Sequence, residues 1–79
     1  MKTIRFKSTP ENWIKEFTGV KSNTIRRLEI EDIRNEVLID WLCNPFILNI
    51  EIENSLNHST FTREVKDVTK WEGFFIISW

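Results

Sequence analysis

A chain of 79 residues with a formal net charge of −1 leaves no room for a second core, because each half would be too small to offset the entropy of ordering its backbone. It also lacks the overall basicity that broad, sequence-independent nucleic-acid binding requires. The single cysteine, Cys43, rules out a disulfide scaffold, and no Cys/His set has the spacing of a structural zinc site, so neither a metal nor another cofactor is expected. Alanine is absent while isoleucine, six phenylalanines and four tryptophans are prominent, a composition that points away from a helical bundle and towards a sheet or barrel.

The near-zero charge conceals an asymmetry. Residues 1 to 34 carry +3 and residues 35 to 79 carry −4, so an anionic ligand would be held locally by the first third of the chain. The opening "MKTIRFKSTP" lacks the apolar run of a signal peptide and no stretch reaches the length of a membrane span. A reducing cytoplasmic setting without membrane contact is expected. The isoleucine, lysine and asparagine usage fits an AT-rich genome, that of a low-GC bacterium or its phage.

In chain order, "TIRFK" alternates Ile4 and Phe6 with charged neighbours, as a strand with one buried face does. "STPENWIKEFTG" predicts a helix over 10–18. Ser8 or Thr9 caps it, Glu11 completes a capping box with Ser8, Pro10 opens the first turn, and Gly19 closes the helix in a left-handed conformation. Trp13, Ile14 and Phe17 share its apolar face, with Trp13 and Phe17 as core residues. "NTIRRL" predicts a second strand with Ile25 on one face and Thr24 and Arg26 on the other. "EVLIDWL" alternates Val37, Ile39 and Trp41 and reads as a third strand, followed by the turn signal "CNP". "FILNIEIEN" is the clearest strand of all, and "TFTREVKDVT" reads as one further strand after a polar loop. "GFFIISW", apolar on both faces, must be central or covered. The expected core includes Ile25, Ile39, Leu48, Ile50, Val65 and Ile76. The fold class is α+β, mainly β: one domain over 1–79, a partly open barrel of about six strands with one short helix.

One stretch, "GVKSNTIRR", carries more than secondary structure. The spacing Gly19, Lys21, Thr24, Arg26 between a helix and a strand resembles the Gly-x-Lys-x-x-(Glu or Thr)-x-Arg motif of ASCH domains, whose barrel is related to the PUA domain of RNA-modifying enzymes. "EVLIDW" falls where that family has its next strand, and "FTREVKDVTKWEGFFIISW" is similar to its closing pair of strands. With threonine at position 24 the motif is most similar to that of small ASCH proteins that hydrolyse N4-acetylcytidine. That resemblance implies Thr24 as nucleophile, Lys21 as the group taking its proton, and Arg26 as an orienter. A threonine hydroxyl needs such a base, and lysine serves only when burial or a nearby cation lowers its pKa. The hydrolases draw a third group, a glutamate, from an extra helical segment; here only "DVTKWEG" joins the closing strands, with Glu72 or Glu64 as substitutes.

Three functions follow as expectations. The first is a module binding a nucleoside, a nucleotide or a flexible RNA base in a pocket of Lys21, Thr24 and Arg26, with Trp71 as a stacking wall. The second is an N4-acetylcytidine-type amidohydrolase using Lys21, Thr24 and Glu72. The third is a phage-type effector or inhibitor acting on a host protein. Against each candidate stands an ordinary role: Gly19 as a helix cap, Lys21 as a solvated turn lysine, Thr24 as a strand residue, Trp71 as core. His58, in a polar loop, is expected to be exposed.

Overall fold

The computed structural model describes residues 2–79 as six strands and two helices. Strand β1 (Lys2–Ser8) leads into helix α1 (Pro10–Thr18), then strand β2 (Asn23–Arg27) and helix α2 (Ile33–Cys43). Strands β3 (Leu48–Asn54), β4 (Thr60–Glu64), β5 (Asp67–Trp71) and β6 (Phe74–Ser78) complete the chain. They form two three-stranded sheets of order β1-β3-β4 and β2-β6-β5. The α+β, mainly β class is as expected, but the sheets remain open and do not close into a barrel.

The first sheet is organised by β3. Leu48, Ile50, Ile52 and Asn54 point inward in strict alternation, and a one-residue slip would drive Glu51 and Glu53 into the core. β1 lies parallel to it, with Ile4 opposite Ile50 and Phe6 opposite Ile52. β4 runs antiparallel on its other side, with Phe61 opposite Ile52. On the outer face Arg5 lies opposite Glu51 and bonds it, Nε to Oε2 at 2.9 Å.

In the second sheet β6 is central, as its two apolar faces require, and pairs antiparallel with β2 and β5. The β5–β6 turn has positive φ at both central residues, Glu72 at 48° and Gly73 at 81°, the geometry of a tight hairpin whose twist matches its strands. Phe75 and Ile77 face inward; Ile76, expected in the core, lies on the half-buried outer face.

Both sheets contribute to one core. Ile4, Phe6, Leu48, Ile50, Ile52 and Phe61 from the first meet Val68, Phe75 and Ile77 from the second, with Leu38 of α2 and Val65 of the crossing segment between them. Trp13 packs against this core and donates its Nε1–H to Ile52 O at 3.0 Å. It stacks on Phe17 with centroids 5.1 Å apart.

Two expected strands are corrected. "EVLIDWL" belongs to α2, because Asp32 at the N-cap accepts the Arg34 amide at 2.9 Å and Val37, Leu38 and Trp41 lie at helical spacing although Val37, Ile39 and Trp41 also alternate. The helix stops at Asn44, before Pro45. "TFTREVKDVT" breaks in two: Val65 N–H still bonds Leu48 O (2.8 Å), whereas the next residue, Lys66, bonds Ser78 O (2.8 Å) in the other sheet. The chain therefore changes sheets across a single peptide, and six strands are reached with one lost and one gained.

Candidate functional site

The cavity lies in the seam between the two sheets. β1 and β2 are edge strands of different sheets, joined by α1, and among the described residues no backbone ladder connects them. Arg26 bridges their gap. Arg26 donates Nη1–H to Lys7 O and Nη2–H to Ser8 Oγ, both at 2.7 Å, and Nε–H to Thr24 Oγ1 at 2.9 Å. Its guanidinium also lies over the Phe6 ring, Cζ 4.9 Å from the centroid. Burial pulls the Arg26 pKa below its ordinary value; Glu16 opposes this through its charge, and Arg34 adds to it.

Beside this bridge is a concavity of about 220 Å³ lined by Lys7, Ser8, Asn12, Glu16, Lys21, Thr24 and Arg26, together with Thr9 and Ile25. Local sequence explains each placement. Ser8 is the third inward residue of β1 after Ile4 and Phe6, so it turns into the seam and leaves the helix cap to Thr9, whose Oγ1 accepts the Asn12 amide at 3.4 Å. The expected Ser8–Glu11 capping box does not form. Gly19, at φ 83°, ends α1, and the Lys21 amide bonds back to Lys15 O at 3.0 Å, which returns Lys21 towards the cavity. β2 then directs Thr24 and Arg26 inward and leaves Ile25 56% exposed. This reverses the face expected for Ile25, because Thr24 and Arg26 have hydrogen-bonding partners in the seam.

Lys21, Thr24 and Arg26 thus line one concavity. Glu72 and Trp71 do not join them. Glu72 occupies the hairpin turn and is exposed, and Trp71, 61% exposed, begins the same turn. Glu64 is exposed on β4. None of the three lines the cavity, so Trp71 is not its wall and Glu72 not its acid. Their hairpin pairing sends them to a sheet end away from α1.

The acid present in the cavity is one the sequence reasoning missed. Glu16 is 1% exposed, and its Oε1 has no hydrogen-bond partner among the described residues. The signal was its position three residues after Trp13, on the face of α1 that packs inward. Among the described residues no hydrogen bond or ion pair joins Glu16 to Lys21 or Thr24.

Two larger clefts, about 500 and 430 Å³, run along β1 and share Arg5 and Arg34. Their charges are largely engaged: Arg5 with Glu51, and Arg34 with Asp32 at 2.6 Å. His58 is exposed and contacts Glu53 at 2.6 Å, an interaction that holds the Glu53 carboxyl below its ordinary value. Among the described residues no group of three His, Cys, Asp or Glu is gathered to hold a metal, and no helix is long and apolar enough to cross a membrane. No protein-family model and no curated protein matches this chain.

Proposed function

We propose that the chain is an ASCH-like module that binds a nucleoside, a nucleotide or a flexible RNA base in the seam cavity. The observation carrying this is the convergence of Lys21, Thr24 and Arg26 on one polar concavity; a helix cap followed by an ordinary strand has no need to bring them together. The size agrees with a single flat ring system: about 220 Å³ falls below the roughly 300–1,000 Å³ of sites for drug-sized ligands. The cavity is open rather than filled by side chains, which favours a small ligand over a purely protein-binding effector.

The test is titration with nucleosides and nucleoside monophosphates, followed by amide chemical shifts. Binding should map to Ser8, Asn12, Lys21 and Thr24 and should weaken in Lys21→Ala. For an oligonucleotide the salt dependence should be shallow, corresponding to roughly one to three phosphates neutralised. Steeply salt-dependent binding to random duplex DNA would contradict the proposal.

A second function, amidohydrolysis of an N4-acetylcytidine-like substrate, is favoured by one specific observation: Glu16 supplies a carboxylate to the same cavity. Thr24 would attack the acetyl carbonyl while Lys21 accepts its proton, the C–N bond would break as that proton passes to the departing N4 amino group of cytidine, and water would then release acetate from Thr24. Thr24 Oγ1 already accepts a hydrogen bond from Arg26, which would stabilise an alkoxide. Because neither Lys21 nor Thr24 is hydrogen-bonded to a carboxylate, binding without turnover is the function proposed. Cytidine release from N4-acetylcytidine that disappears in Thr24→Val would reverse that order.

A further inference from the structure

Of all the groups lining the cavity, Glu16 is the one that can only accept hydrogen bonds when ionised. Lys7, Lys21 and Arg26 donate, and Ser8, Thr24 and the Asn12 amide have donors available. Arg26 directs its bonded N–H groups at Thr24, Lys7 and Ser8, leaving Glu16 Oε1 buried and without a partner. A buried acceptor in that state costs stability, and native structures rarely retain one without a use. Glutamine or methionine would fill nearly the same volume without the charge. Glu16 is therefore poorly explained by packing and well explained by a donor that arrives with the ligand.

Building on the binding function above, we propose that the cavity takes an amino-substituted heterocycle and that Glu16 reads its exocyclic amino group. The ligand edge that matches one acceptor among several donors is N=C–NH₂: the amino group donates to Glu16, while the ring nitrogen accepts from the surrounding cations and hydroxyls. Adenine and cytosine carry this edge. Their oxo counterparts, hypoxanthine and uracil, place a carbonyl oxygen where the amino group stood. The ring N–H beside that carbonyl cannot replace it without bringing the carbonyl oxygen against the carboxylate. Carboxylate recognition of a base amino group is an established form of base readout.

The matched pairs adenosine/inosine and cytidine/uridine provide the test, since each pair differs in amino against oxo at nearly constant size. Affinities are measured by titration of the wild type and of Glu16→Gln, together with their thermal midpoints. The amino member of each pair should bind at least about tenfold tighter to the wild type, as expected for a hydrogen bond to a charged group. Glu16→Gln should reduce that preference to near parity without lowering the midpoint, because Glu16 Oε1 has no protein hydrogen bond to lose and its charge interaction with Arg26 is offset by relief of a buried carboxylate. Equal affinity within the pairs, or a preference unchanged by the substitution, overturns the role of Glu16 while nucleoside binding stands. No binding by any of the four removes the binding function itself. A midpoint that drops sharply shows that Glu16 is held by the protein and overturns its assignment to the ligand. A variant that does not fold is the limit of that outcome and overturns the assignment as well, and the wild-type pair comparison then reports only whether the cavity prefers the amino member.

Discussion

The centre of the first sheet and the seam between the sheets obey opposite rules. Along β3 every inward residue but the last is aliphatic, Leu48, Ile50 and Ile52 are fully buried, and the acids point outward to cations on β1. In the seam the inward residues are Ser8, Glu16 and Thr24, while Ile25 beside them faces out. Burying hydroxyls and a carboxylate where isoleucine was available gives up hydrophobic stabilisation. The difference teaches that β3 is built for packing whereas the seam gives up packing for a polar opening, which under the proposed function receives the ligand. Arg26 makes the seam tolerable by satisfying three acceptors from two edge strands that share no ladder.

That contrast can be attacked in order of expected effect. Ile50→Ala, at a fully buried site, should destabilise by about 2–5 kcal/mol through lost transfer energy and a residual cavity, measured by urea denaturation. In a chain this small such a loss should leave the variant largely unfolded at 37 °C; a loss under 1 kcal/mol would mean that β3 is not the centre of the core. Arg26→Ala should cost about 2 kcal/mol, since it removes charge-assisted hydrogen bonds and leaves acceptors unpaired. Arg26→Lys should not restore the loss, because an ammonium cannot reproduce the planar fork. Full rescue by lysine would show that charge alone bridges the seam.

Asp32→Ala tests the helix that replaced an expected strand. Loss of the N-cap should cost about 1 kcal/mol and should change the acid limb of the stability curve. Hydrogen bonds from Arg34 depress the Asp32 carboxyl to about 2 from an ordinary 3.8. A depressed folded-state pKa gives stability that is complete above the ordinary value and is lost as pH falls towards 2. The difference between wild type and Asp32→Ala should therefore narrow across that window; a constant difference would refute the assignment. The smallest effect belongs to Trp71→Ala, at an exposed hairpin position: about 0.5 kcal/mol or less, with nucleoside affinity unchanged. A large loss of binding there would return Trp71 to the site.

Much of the seam was legible before folding was considered. The helix over 10–18, its glycine stop and the placement of Thr24 and Arg26 on one shared face rest on short-range chemistry: a fixed φ at Pro10, a positive φ at Gly19, and two-residue periodicity in β2. What escaped was whatever depends on which face meets the core. Alternation put Thr24 and Arg26 together on one face but could not say that this face was the inner one. Glu16 escaped because a lone acid on an amphipathic helix is ordinarily solvated, and only the approach of β1 and β2 encloses it.

The sequence by itself determined the strands with unambiguous alternation, the first helix and its caps, and the clustering of cations in the first third, because each follows from bonds and sterics among near neighbours. Only the tertiary structure decided that "EVLIDWL" coils into a helix over the core, since its apolar residues satisfy either period and the Asp32 cap together with the packing of Leu38 breaks the tie. It also decided that the chain changes sheets at Val65 and Lys66, that the sheets stay open between β1 and β2, and that a buried carboxylate shares that opening with Lys21, Thr24 and Arg26. The physical reason is common to all of these. Each depends on contacts between segments distant in sequence, whose free energy no local pattern encodes.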